Sequence, residues 1–140
     1  MKKFLTLALV LGAFIFSSAQ QTVWKKEQLM PTSLMAEKIK TNAKDVPLLF
    51  NVGPMDNIKS AVFVGRGTSV SSLDKMRQTL SMENKTRTVV VYCGCCSYAS
   101  CPNIKPAFDA LVSLGFKNAK VLDLPIGLGP DWQAKGYPME

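Results

Sequence analysis

The run Thr88-Val89-Val90-Val91-Tyr92 carries no charge and is β-branched at four of its five positions. A strand that is apolar at consecutive positions, rather than alternate ones, must be covered on both faces. In a small domain that means a parallel sheet between two layers of helix. The flanking sequence supplies the rest of this architecture. Pro47-Leu48-Leu49-Phe50-Asn51-Val52, stopped by Gly53-Pro54, and Ala61-Val62-Phe63-Val64, stopped by Gly65 and Gly67, predict two further strands, and Ala119 to Leu124 another. Between them lie helical patterns. Thr32 to Lys40, begun by Pro31, carries Leu34, Met35 and Ile39. Ser71 stands three residues before Asp74, a capping pattern that opens a helix with Leu73, Met76 and Leu80 on one face. Ile104, Ala107, Phe108, Leu111 and Leu114 repeat at helical spacing, with Asn103 as cap and Gly115 as stop. Asp131 to Lys135 predicts a short terminal helix. The expected fold is a doubly wound α/β domain, with a mainly parallel central sheet and helices on both faces.

The first residues read as a targeting segment. Lys2 and Lys3 precede an uncharged apolar run from Phe4 to Phe16, and Ser17-Ser18-Ala19 follows. That is the order of a secretory signal peptide, and thirteen residues fall short of the roughly 20 needed to span a bilayer. Cleavage is expected after Ala19, giving a signal peptide at 1–19, a lead-in at 20–30 and one domain at 31–140. The mature protein is expected to be exported, periplasmic or secreted, without stable membrane insertion. Removing Lys2 and Lys3 lowers the formal charge from +7 by two, to +5. The remaining cations are scattered and form no basic stripe with interleaved aromatics, so nucleic-acid binding is not expected.

The chain has no histidine and four cysteines. Imidazole-based catalysis and imidazole metal ligands are therefore excluded. All four cysteines fall within nine residues, in Cys93-Gly94-Cys95-Cys96-Ser97-Tyr98-Ala99-Ser100-Cys101, between the clearest strand and a helix. Parallel sheets place their functional loops at the carboxyl ends of strands, which marks this loop as the candidate site. A thiol facing a helix N-terminus has a lowered pKa and needs no base to become a nucleophile. Lys105 in the first helical turn, and Arg66 between Gly65 and Gly67, are candidate anion contacts. Asn51, Gly53, Arg66 and Ser69 are expected to wall the pocket.

Several segments together resemble the rhodanese-like domain. They are Val90-Val91-Tyr92-Cys93, an amphipathic helix ending Leu114-Gly115-Phe116, the strand Lys120-Val121-Leu122-Asp123-Leu124, and the close Asp131-Trp132-Gln133-Ala134-Lys135-Gly136-Tyr137-Pro138. Upstream, Leu48-Leu49-Phe50-Asn51-Val52 resembles the family's first core strand, and Ile58-Lys59-Ser60-Ala61 the approach to its second. The chain departs from the pattern in three places. Asn51-Val52-Gly53 stands where Asp-Val-Arg is usual, and Asp56-Asn57 where Gly-His is usual. The loop after Cys93 is longer than the usual Cys-x-x-x-x-Arg, lacks arginine and adds three cysteines. The resemblance implies sulfur transfer. Cys93 would attack a sulfane sulfur, as in thiosulfate or a polysulfide, and hold a persulfide for a thiophilic acceptor, within a loop formed by Gly94, Cys95, Cys96, Ser97, Tyr98, Ala99, Ser100 and Cys101. It implies no cofactor and no resident metal. The expected partners are a small sulfur-containing anion or thiol, and a thiol-disulfide reductase.

Two other chemistries fit the same loop. Cys93 and Cys96 form a Cys-x-x-Cys pair, as in thiol-disulfide redox proteins. Thiolates at 93, 95, 96 and 101 also suit copper(I) or zinc, without catalysis. In an oxidising compartment a neighbouring cysteine could pair with Cys93 and silence it, or Cys96 could pair with Cys101 and rigidify the loop; the adjacent pair Cys95–Cys96 would close a strained ring.

Overall fold

The computed structural model describes residues 24–140, and the expected signal segment lies outside the described residues. The sheet has five strands: β1 (Leu29–Met30), β2 (Leu48–Asn51), β3 (Val62–Phe63), β4 (Val89–Tyr92) and β5 (Ala119–Leu122). Their order is β1-β5-β4-β2-β3, and every neighbouring pair is parallel. The four helices are α1 (Thr32–Lys40), α2 (Val70–Thr79), α3 (Ile104–Ser113) and α4 (Leu128–Asp131). This is the expected doubly wound α/β architecture.

Strand β4 is central and buried along its whole length. Its side chains alternate between the two faces. Val89 and Val91 join Phe50, Val121, Met76 of α2 and Ile104, Ala107, Phe108 and Leu111 of α3 in one apolar layer. Val90 and Tyr92 join Leu49, Leu122, Met35, Ala36 and Ile39 of α1, with Leu128 and Trp132, in the other. A continuous apolar run was the right pattern for such a strand, since neither face meets water.

Several boundaries differ from the sequence expectation. Strand β5 ends at Leu122 rather than Leu124; beyond it, the Leu124 carbonyl accepts the N–H of Tyr98. Helix α2 is capped at Ser69, not Ser71, and the two hydroxyls lie 2.9 Å apart. The helix expected at Asp131–Lys135 is instead α4, ending at Asp131, followed by a 3-10 turn at Gln133–Lys135. The reason is that the Asp131 carboxylate reaches backwards, accepting the N–H groups of Ile126 at 2.6 Å and Gly127 at 2.8 Å, so it closes a turn rather than opening one. Within the lead-in, Leu29 and Met30 form an edge strand beside Val121 and Leu122. Two residues are too short a run to show a periodicity in sequence.

The carboxyl-terminal tail closes over the loop after β2. Trp132 is buried against Tyr137, their rings edge to face at 5.2 Å, and its Nε1–H donates to the Pro138 carbonyl. The tail also pairs Met139 with Ile58. The tryptophan is therefore a packing residue of the tail. Beneath this layer the Tyr92 hydroxyl accepts the N–H of buried Ile58 at 2.9 Å and donates to the Asp56 carbonyl. Tyr92→Phe is expected to leave the Ile58 N–H buried and unpartnered, at a cost of about 1–3 kcal/mol. The expected result is a lower urea midpoint with an unchanged denaturant slope.

Candidate active site

The site is built by the end of β4. The alternation that turns Val89 and Val91 toward α2 and α3 carries on to Cys93, which belongs to the same layer and is 1% exposed. Two backbone features seat it. Gly53, just past β2, lies so close that a Cβ there would stand 2.6 Å from the Cys93 carbonyl oxygen and 2.9 Å from its Cα. Gly94 has a positive φ of 78°, a conformation that favours glycine, and it bends the chain sharply after the strand. The bend is fixed by the Gly94 carbonyl, which accepts the N–H of Leu128 at 2.9 Å. An added Cβ on Gly94 would stand 2.8 Å from the Leu128 Cβ.

The bend returns Cys95 toward Cys93, and their Sγ atoms are 3.1 Å apart. Cys101, at the foot of α3, closes the group, and the sulfurs of Cys93, Cys95 and Cys101 all lie within 4.8 Å of one another. The Asn103 side-chain amide donates to the Cys93 Sγ at 3.4 Å. Donors converging on one sulfur favour its anion. The Cys93 thiol is held down at about 5, first by the Cys101 thiol hydrogen bond, against the opposing effect of burial. The Cys95 N–H, the Cys95 thiol and the Asn103 amide add to it. The neighbours shift the other way: Cys95, though exposed, is pushed up to about 12 by partial desolvation of its sulfur and by its bonds to Cys93 and Cys96, and Cys101 is pushed up by its bond to Cys93 and by burial. One thiolate is thus held among protonated thiols. A buried thiolate with a depressed pKa at the carboxyl end of a central strand is a nucleophile's environment.

No family model and no curated protein matches the chain. Solved structures do. The rhodanese-like domain of a protein from Anabaena sp., solved by NMR, superposes with a TM-score of 0.54 at 20% identity, covering 81% of this chain and 78% of that one. A crystal structure of a Bacillus halodurans protein superposes with a TM-score of 0.56 at 18% identity, covering 81% of this chain and 77% of that one. The fold is rhodanese-like.

On this rhodanese-like scaffold the structure brings together some of the expected site residues and separates others. Cys93, Gly94, Cys95 and Cys101 meet at the thiolate. Cys96 stands one step outward, its Sγ 3.5 Å from that of Cys95, so the sulfur facing Cys93 belongs to Cys95 and not to its Cys-x-x-Cys partner. Ser97, Tyr98, Ala99 and Ser100 form a turn on the outer side, with the Ser97 carbonyl accepting the Ser100 N–H. Tyr98 and Cys96 also flank a crevice over Cys93 with Leu122 and Leu124. Gly53 is at the site as expected. Asn51 is not on a pocket wall: it is buried, and its amide is consumed by Met55, Asn57 and Gly53 in shaping the loop after β2. Ser69 serves as the cap of α2.

Neither expected cation is among the groups that hold the Cys93 thiolate. Lys105 is paired with Asp109 at 2.6 Å on the solvent face of α3, its side chain 58% exposed. Arg66 is exposed, and among the described residues its guanidinium makes no hydrogen bond or ion pair. The thiolate is instead stabilised by thiols, backbone and an amide. Asn103 is the residue that sequence reasoning assigned differently. It sits at the cap position of α3, but its side chain makes no cap bond. Its Oδ1 accepts from the Thr68 N–H and hydroxyl while its Nδ2 serves the sulfur. Asn103→Asp retains the acceptor for Thr68 and replaces the donor to sulfur with a carboxylate oxygen. The expected result is a Cys93 alkylation profile whose midpoint moves up from about 5, with little change in melting temperature.

The three converging sulfurs are also a possible ligand set. They offer soft donors with no nitrogen or carboxylate among them, which suits copper(I) better than zinc, whose structural sites take four ligands.

Proposed function

We propose that the protein is an exported sulfurtransferase that carries a persulfide on Cys93. The observation that supports this best is a single thiolate, held at about 5 by surrounding donors, at the carboxyl end of the central strand of a rhodanese-like fold. The chemistry asks for little else. The Cys93 thiolate attacks the outer sulfur of thiosulfate, or a sulfane sulfur of a polysulfide. The donor's S–S bond breaks, and sulfite or a shortened polysulfide leaves with the electron pair. A thiophilic acceptor then takes the outer sulfur and restores the thiolate. No proton need be abstracted, so the lack of histidine is no obstacle. The N–H groups of Gly94, Cys96 and Ser97 donate to no backbone carbonyl among the described residues, leaving them free for an anionic donor or leaving group. Arg66, exposed on the loop after β3, is a further candidate for drawing such an anion in.

The test is direct: thiosulfate added to the reduced protein should release sulfite as one sulfur atom, ~32 Da by intact mass in samples quenched early, loads onto the Cys93 peptide. Thiosulfate that releases no sulfite, with no early sulfur adduct from either donor, would overturn the reading. Export belongs to the same proposal, and a mature amino terminus at Gln20 is its check. A second reading has its own observation, the convergence of Cys93, Cys95 and Cys101. Stoichiometric copper(I) binding in a protein that never takes up sulfur would favour it.

A further inference from the structure

Two thiols have their sulfurs within 4.8 Å of that of Cys93, and they differ in access. Cys101 is buried with it, whereas Cys95 is exposed. The Cys95 sulfur is 3.1 Å from that of Cys93, about 1 Å beyond the ~2.05 Å of a disulfide bond. The contact is built in rather than incidental. It depends on the left-handed bend at Gly94, which Leu128 pins by hydrogen bond and by packing. Cys96, the other accessible thiol, is placed behind Cys95 and has no such approach.

We infer that Cys95 is a resolving thiol, which closes a disulfide with sulfur-loaded Cys93 and releases the carried sulfur as sulfide. This rests on the persulfide reading and adds an activity to it, the reduction of sulfane sulfur at the expense of an external dithiol. In the step, the Cys95 sulfur attacks the inner sulfur of Cys93–S–S⁻. The Cys93–Cys95 bond forms, the bond to the outer sulfur breaks, and the outer sulfur leaves with the electron pair and the Cys95 proton as HS⁻. Two thiols are oxidised, and the sulfane sulfur gains two electrons. A dithiol, either small or carried by a thiol-disulfide reductase, then attacks the exposed Cys95 sulfur and expels Cys93. Attack at that sulfur is favoured twice, by access and because the better-stabilised thiolate is the better leaving group. Both thiols are thereby returned.

The experiment uses the reduced full chain with thiosulfate as donor and no added reductant, because thiosulfate releases sulfite on loading and yields sulfide only on resolution. Wild type should release about one sulfide per sulfite and end ~2 Da lighter than the reduced protein, with Cys93 and Cys95 joined. Cys95→Ser should release sulfite but no sulfide, and should keep ~32 Da on Cys93. Adding a dithiol should return wild type to the reduced mass and allow further turnovers. A wild type that keeps the added sulfur and makes no sulfide overturns the inference. So does a Cys95→Ser variant that still makes sulfide, which would move the role to Cys96 or Cys101, and so does sulfur recovered on Cys95, which would make it a relay. No sulfite and no adduct from thiosulfate, with no adduct from polysulfide, overturns the persulfide reading itself and this inference with it.

Discussion

Cys93→Ser is expected to abolish sulfur loading, with release of sulfite from thiosulfate falling by at least about a thousandfold. The substitution changes one atom in a well-packed position, so the fold should survive, and an unchanged melting temperature is part of the expected result. The loss is chemical. The donors around this position stabilise a thiolate that already ionises readily; they contain no base able to take a proton from an alcohol, and the chain has no histidine to supply one. The same donors set the pH dependence. The nucleophile is the deprotonated form, so alkylation of Cys93 by iodoacetamide should rise with pH through a midpoint at about 5 and level off before neutrality. Cys95, held protonated up to about 12, should contribute nothing in that range. A midpoint at the ordinary cysteine value, with sulfur loading intact, would show that the donor set is not what activates Cys93.

Gly53→Ala should damage the site out of proportion to the one methyl it adds. Gly53 does not need glycine for its backbone angles, since its φ is not positive; it needs glycine for space. The new Cβ would meet the carbonyl oxygen of Cys93 at 2.6 Å and its Cα at 2.9 Å, and these are backbone atoms that no rotamer change can move. Relief requires the ends of β2 and β4 to separate where the Val52 N–H donates to the Tyr92 carbonyl at 2.8 Å. Overpacking of this kind costs about 1–3 kcal/mol. The functional effect should be larger than the stability effect, because displacing a reacting group by about 1 Å can cost on the order of a hundredfold in rate. Thermal melting and sulfite release measured on the same sample separate the two. A variant that melts and turns over like wild type would mean that Gly53 does not seat the nucleophile.

The layering was legible because strands buried on both faces must be apolar at every position, and Val89 to Tyr92 satisfy that without a break. The helices were legible from their spacing, and α1 was placed to the residue because Pro31 marks its start. The boundaries that shifted are those set by side chains reaching back along the chain, as Asp131 does to Ile126 and Gly127. The edge strand at Leu29 and Met30 gave no signal, since its existence depends on Val121 and Leu122, far away in sequence.

The candidate site divides in the same way. By itself the sequence determined which nucleophiles the loop offers, because four cysteines in one loop and no histidine leave no other of that strength. It also determined that the loop follows a central strand, and hence that Cys93 sits where the sheet holds its backbone still. The tertiary structure alone decided which groups surround that sulfur. It set Lys105 against Asp109 and away from the thiolate, turned Asn103 from a helix cap into a donor, and chose Cys95 over Cys96 as the facing thiol. The reason is that a thiolate's stabilisation depends on donors within a few ångströms in direction and distance. Those are fixed by a bend at Gly94 and by contacts from Leu128, Gly53 and Thr68, residues that are neighbours only once the chain has folded.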